Sequence, residues 1–392
     1  KKLNCFSRRK IKMKQIKHLF IILSLLVVVL AGCTSEQDAA STTKADADVK
    51  KEETKSSETN ETSATETASN VEIPEAVQKP IKVAAIMQMS IGTFSSQYIS
   101  GVKEQVEKFG GEVQIYNADN DLSKMATYVE TAITQNVDAI LIDHGRADAL
   151  LGPVEKAIEK GIPVVAFDSD INVEGVTVID QDDYSLAWKS LKTMAEDLNG
   201  EGNIVTVWVG GFTPMERRHV IYDAFKQRYP GIKEVAKFGT ASANTALDTQ
   251  TQMEAILKKY PNKGDIDAVF AAWDEFAKGA TKAIQQAGRD EIKVYGIDLS
   301  DEDLELIQQP NSPWVATAAT DPAEVGRVQV RFAYQKIAGE DTPNIFSLEP
   351  HLVERSSLPE QSIKMTSLSE HVPGWGQSTV ATSPWMEGLE EK

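Results

Sequence analysis

The sequence predicts an α/β protein of two lobes, each a parallel sheet flanked by helices. Three observations predict it. Short apolar runs rich in β-formers alternate with amphipathic helical stretches from residue 80 onward. Most of the runs are continuously apolar rather than alternating, as strands buried on both faces are. The rhythm then repeats as a second unit of similar size, which implies two lobes with a cleft between them.

The elements follow in order. IKVAAIM (81–87) reads as a strand, then a helix over 93–109 ending at Gly110-Gly111. EVQIYNA (112–118) is a strand, followed by a helix over 122–135. DAILID (138–143) precedes a helix over 147–160, stopped by Gly161. IPVVAFD (162–168) and VTVID (176–180) are strands, and the latter leads into the second unit. There, helix 183–198 leads to strand NIVTVWV (203–209) and helix 214–228. IKEVAKF (232–238) and helix 244–259 follow, then IDAVFAAW (266–273) and helix 274–287. IKVYGID (292–298), a short helix near 301–309, WVATAAT (314–320) and helix 323–338 complete the pattern.

The N-terminal region differs in kind. Residues 1–32 hold eight basic and no acidic residues, which leaves −25 of formal charge from Cys33 onward, although the chain totals −17. Such an acidic body repels nucleic acid, so no nucleic-acid partner is expected. From Met13, two lysines and a histidine precede an apolar run, Leu19 to Ala31. It is shorter than the roughly 20 residues of a bilayer span and fits a secretory signal. Residues 1–12 are expected to be upstream translation. Residues 34–79 carry almost no large apolar side chain and read as a disordered tether, spanning about 35–40 Å as a coil. The body beyond Cys33 has no cysteine, so its stability rests on its core.

Polar residues gather after the apolar runs: Gln88, Asp143, Asp168, Asp180, Asp274 and Asp298. In open α/β sheets that is where ligands bind. A polyhydroxy compound needs hydrogen-bond donors and acceptors plus a flat apolar face, and charged partners strengthen those bonds. No glycine-rich nucleotide pattern follows the first strand, and no GxSxG, HExxH or catalytic cysteine appears. An enzyme is therefore not expected, and neither a cofactor nor a metal site. His144, in DHGRAD, has no companions at ligand spacing and reads as a loop histidine. Trp188, Trp208 and Trp314 read as core.

Two resemblances sharpen these expectations. Leu30-Ala31-Gly32-Cys33 resembles the lipobox of bacterial lipoproteins. That implies cleavage before Cys33, a diacylglyceryl thioether with fatty acyl chains such as palmitate, and a membrane lipid anchor. Residues 80–355 resemble the ribose-type, class I family of periplasmic sugar-binding proteins. VVAFDSD (164–170), DAVFAAWDEFAKGA (267–280), KVYGIDLSDED (293–303) and ATAATDPAEVGRVQV (316–330) carry that resemblance in order.

The resemblance implies a two-lobed solute-binding domain over 80–358 with three hinge crossovers. Lobe one would be 80–182 and 322–350, and lobe two 184–320, after signal 1–32 and tether 33–79. The extension 359–392 would pack back as a clasp or stay partly free. The implied ligand residues are Gln88, Phe94, Ser95 and Asp168 from lobe one. From lobe two they are one of Arg217, Arg218 and His219, with Arg218 ranked first, then Asn244, Trp273, Asp274 and Asp298, with Thr320 at the hinge. The family often has arginine after the position of Asp168, where this chain has Ser169, which argues against an ordinary pyranose site. The expected role is a monomeric, lipid-anchored ABC-importer subunit. It would sit on the outer face of a cell membrane, favouring a Gram-positive surface, and bring a sugar, polyol or nucleoside to its permease. A sensory lipoprotein presenting a signal such as autoinducer-2 would use the same cleft.

Overall fold

The computed structural model describes residues 71–376 and 379–391. The signal, Cys33 and most of the tether lie outside the described residues. Among those described, no helix is long and apolar enough to cross a membrane.

Two six-stranded sheets form the two lobes. Lobe one holds β1 (Lys82–Met87), β2 (Glu112–Asn117), β3 (Ala139–Asp143), β4 (Val164–Phe167), β5 (Thr177–Asp180) and β11 (Ile345–Ser347), in the order β11-β5-β4-β3-β1-β2. Lobe two holds β6 (Glu201–Val207), β7 (Gly231–Phe238), β8 (Ala268–Ala271), β9 (Lys293–Ile297), β10 (Trp314–Ala319) and β12 (His351–Glu354), in the order β12-β10-β9-β8-β6-β7. All pairings are parallel except β10 with β12. Helices cover both faces: α1 (Gly92–Lys108), α2 (Leu122–Thr134), α3 (Ala147–Glu159) and α9 (Pro322–Ile337) on lobe one. Lobe two carries α4 (Asp183–Asp197), α5 (Thr213–Arg228), α6 (Thr245–Lys259), α7 (Asp274–Gln286) and α8 (Asp301–Gln308). Each sheet therefore separates two apolar cores, and the central strands are buried on both faces.

The chain crosses between lobes at three places: β5 to α4, β10 to α9, and β11 to β12. The first two are punctuated by helix caps. Asp182, with left-handed backbone, accepts from Ser185 N at 3.1 Å, and Asp321 accepts from Ala323 N at 2.9 Å ahead of Pro322. VTVID belongs to the sheet of lobe one, where β5 pairs β4 and β11.

The C-terminal segment crosses once more. Met365, Leu368, Val372 and Trp375 are buried in a core of lobe two, whereas Trp385, Met386 and Leu389 are buried in a core of lobe one. Between them the chain passes the crossovers: the Trp375 ring lies 5.9 Å from His351, and a Cβ on Gly376 would come within 2.7 Å of Asp321. On lobe one, Ser383 Oγ donates to Glu340 at 2.6 Å, and Trp385 Nε1 donates to the same carboxylate.

Candidate functional site

The carboxyl ends of both sheets face one another, and the lobes meet there. Arg217 of α5 donates to Ser169 O at 3.2 Å and to Asp180 at 3.4 Å. Thr93 of α1 donates to Glu302 of α8 at 3.2 Å, and Asp301 N donates to Gln97 Oε1 at 3.0 Å. Between these contacts lies a narrow cavity of about 50 Å³. Wider hollows near Gln308 and near Lys336 lie at the amino ends of strands, away from this convergence.

The polar lining comes from strand ends. Asp168 follows β4 and Asp298 follows β9, with φ of 49° and 71°. Both carboxylates are buried. Burial pushes the Asp168 carboxyl well up, and neighbouring Asp183 adds to it. Burial also raises Asp298, against the pull of Arg218. Asp168 Oδ2 accepts from Gln181 Nε2 at 3.2 Å, while its Oδ1 has no protein partner. A buried acceptor left open at a cavity wall is ready for a ligand donor.

Arg218 comes from the first turns of α5. It clasps Asp298 through Nη1 at 3.0 Å and Nη2 at 3.1 Å, and Nε donates to Asp183 at 2.9 Å. Burial opposes its charge, but Asp298 and Asp183 outweigh it and hold the guanidinium charged. This fork fixes Asp298 at the cavity wall.

The apolar lining is extensive. Met89, Ile91 and Phe94 contribute from lobe one; Val209, Phe212, Pro214, Met215 and Trp273 contribute from lobe two. Trp273 stands edge-on to Phe276 with centroids 5.4 Å apart, which leaves its ring as a wall.

Of the residues expected from sequence, the structure brings Phe94, Ser95, Asp168, Arg218, Trp273 and Asp298 around one cavity. Five lie elsewhere. Gln88 is spent within lobe one, donating to Asn120 at 2.7 Å and accepting from Gly145 N at 2.9 Å. His219 stacks on Trp208 with centroids 4.3 Å apart and does not line the cavity. Asn244 is exposed at the start of α6. Asp274 turns into lobe two beside Asp303 and Lys278, and accepts from Glu275 N at 2.8 Å. Thr320 is one step removed: its hydroxyl donates to Gln181 Oε1 at 2.6 Å, and Gln181 reaches the cavity in its place.

His144, read as a loop histidine, stands in the bend directly after β3, and it has a place in the site that the sequence reading did not give it. It lines the cavity with its Nδ1 2.7 Å from Asp143 Oδ1. The sequence signal was present: His144 directly follows an apolar strand, as Asp168 does. Gln181, Phe212 and Met215 were also missed, because nothing in a helix start or crossover marks which side faces the cleft. Among the described residues no cluster of His, Cys, Asp or Glu could hold a metal ion.

Two sheets whose carboxyl ends close on a charged and aromatic cavity define a ligand-capturing protein of the two-lobed, hinge-closing class. Residues 83–341 match the model of the periplasmic binding protein domain family, and the chain belongs to that family. It is a solute-binding protein of the ABC-importer type, of the ribose-like class I. A 5-methylthioribose transporter solute binding protein from Thermotoga lettingae, crystallised with 5-methylthioribose, is 39% identical, with TM-score 0.78, over 82% of this chain and 99% of that one. A sugar ABC transporter protein from Yersinia enterocolitica is 37% identical, with TM-score 0.79, over 82% and 98%. Coverage of 82% is more than residues 80–358 alone can supply. The xylitol-binding protein of Mycolicibacterium smegmatis is 30% identical over 54% of this chain, which spans 62% of that protein.

Proposed function

We propose that this protein captures a pentose-type polyhydroxy ligand carrying an apolar substituent, of which 5-methylthioribose is the test case, and delivers it to an ABC permease. The observation that carries this reading is that one cavity has both buried carboxylates and a large apolar lining. Each lobe gives it one buried carboxylate, Asp168 and Asp298, while Met89, Met215, Phe94, Phe212 and Trp273 line the remainder. Carboxylates suit hydroxyls; thioethers and rings suit a methylthio group or another small apolar tail. The ligand of the Thermotoga relative combines both features.

The protein acts as a monomer, held through Cys33 on the outer face of the cell membrane with residues 34–79 as a spacer. Closing the lobes over the ligand presents both to the permease, and the ligand stabilises the closed form by as much as it prefers it.

Calorimetry of purified residues 71–392 against 5-methylthioribose, D-ribose and xylitol tests the ligand. Burying a methylthio group should favour 5-methylthioribose over D-ribose by at least tenfold, since each buried methylene-sized group contributes about 0.8 kcal/mol. Equal or tighter binding of D-ribose would refute the apolar half of the proposal.

A further inference from the structure

His144 is the tip residue of β3, as Asp168 is of β4. The two strands are parallel neighbours with Asp143 opposite Phe167, and His144 N donates to Phe167 O at 2.8 Å. Positions 144 and 168 therefore emerge side by side, about one strand spacing (~4.8 Å) apart. Both backbones are left-handed, φ 60° and 49°, which side-chain-bearing residues adopt at a cost.

The ring has little freedom. Asp143 holds Nδ1, and Phe167 and Phe212 meet the ring edge-on at 6.0 and 6.4 Å, one from each lobe. Burial works against a charge here, but the Asp143 carboxylate outweighs it and raises His144 to about 9. At neutral pH both nitrogens then carry protons. The Nδ1 proton goes to Asp143. The Nε2 proton has no acceptor among the described residues, and the ring lines the cavity. From the neighbouring strand tip Asp168 lines the same cavity, and its Oδ1 is an acceptor with no donor.

We propose that His144 is a specificity-determining donor of the cleft: its Nε2–H binds one ligand oxygen while Asp168 Oδ1 accepts from the neighbouring hydroxyl, so that the pair selects two adjacent oxygens. This rests on the cavity being the ligand site. A ligand without the oxygen shuts the imidazolium proton off from water unpaired, and is rejected for that reason.

The test is calorimetry of wild type, His144→Phe and His144→Gln with 5-methylthioribose, and with D-ribose and its 2-deoxy and 3-deoxy forms. Phe keeps the ring's volume between Phe167 and Phe212 but has no donor; Gln keeps a neutral donor. His144→Phe should bind at least tenfold more weakly, and His144→Gln should fall between. The loss in His144→Phe should vanish for the deoxy sugar that lacks the bound oxygen, a result a purely structural role would not give. His144→Phe binding within twofold of wild type overturns the assignment. If His144→Phe does not fold, equal affinity of wild type and His144→Gln across the whole series overturns it instead. Wild type that prefers D-ribose to 5-methylthioribose refutes only the apolar substituent, and the ribose series still decides the role of His144. Wild type that binds none of these sugars defeats both.

Discussion

Asp168, Asp298 and His144 are side-chain-bearing residues in left-handed backbone at strand tips, facing one cavity. Backbone strain of this kind persists where the surroundings hold it, and here it aims polar groups off the ends of β3, β4 and β9. Asp168 carries the clearest consequence for binding. Asp168→Asn should weaken sugar binding roughly tenfold or more, as losing a charged hydrogen bond of about 1.5–3 kcal/mol would, with little change in melting temperature. Calorimetry alongside a thermal melt checks both. His144 carries a pH consequence. Its folded pKa, about 9, lies above the ordinary 6.5. The stabilisation from Asp143 is therefore complete below about pH 6.5 and is lost as pH rises through 9. Denaturant unfolding should show wild type losing on the order of 1–3 kcal/mol across that window relative to His144→Phe. Asp303, which burial raises to about 6, titrates at the lower edge of the window in both proteins and cancels in the comparison.

Among the elements, β1 to β10 and α1 to α9 are legible in the sequence because most strands are apolar runs bounded by turn residues, and the longer edge strands β2 and β7 still carry several apolar positions. β11 and β12 are not. Ile345–Ser347 and His351–Glu354 are three and four residues long, lie at sheet edges and are paired on one side only, so no continuous apolar run marks them. The site is legible to the same degree as its strands. Asp168 and Asp298 are polar residues directly after buried runs, yet Gln88 and Asp274 match that description equally, and Gln88 is held by Asn120 and Gly145 while Asp274 turns into lobe two. Sequence position identifies a strand tip but does not say whether the backbone there turns the side chain toward the cleft or back into the lobe. Gly92, at the start of α1, illustrates what only packing reveals. Its φ is +72°, and a Cβ there would come within 2.0 Å of Glu275 Oε1 of the opposite lobe. Gly92→Ala should cost the unliganded protein only about 1 kcal/mol but obstruct closure. Affinity should fall at least tenfold and the liganded protein should scatter X-rays as a more open particle. Adding Glu275→Ser should recover part of the loss.

Across the whole molecule, the C-terminal segment ties the two lobes together beside the three crossovers. Trp375 is buried in one lobe and Trp385 in the other, so each tryptophan anchors one end of the strap. Trp375→Ala and Trp385→Ala should each cost about 3–5 kcal/mol, and the costs should add because the sites share no neighbours. Denaturant titration of the single and double variants measures this; strong non-additivity would mean that the two anchors communicate through the hinge. The strap also sets where the last described residues lie. Gly388 lies against Ile73, with a Cβ there 3.3 Å or less from its side chain. The first and last described stretches are thus neighbours on lobe one, and lobe two is an excursion between them. A circular permutant that joins residue 391 to residue 71 through a few glycines and serines, and opens in the exposed loop at Pro261–Gly264, should fold and bind as the parent does. Its new ends would then ride on the other lobe.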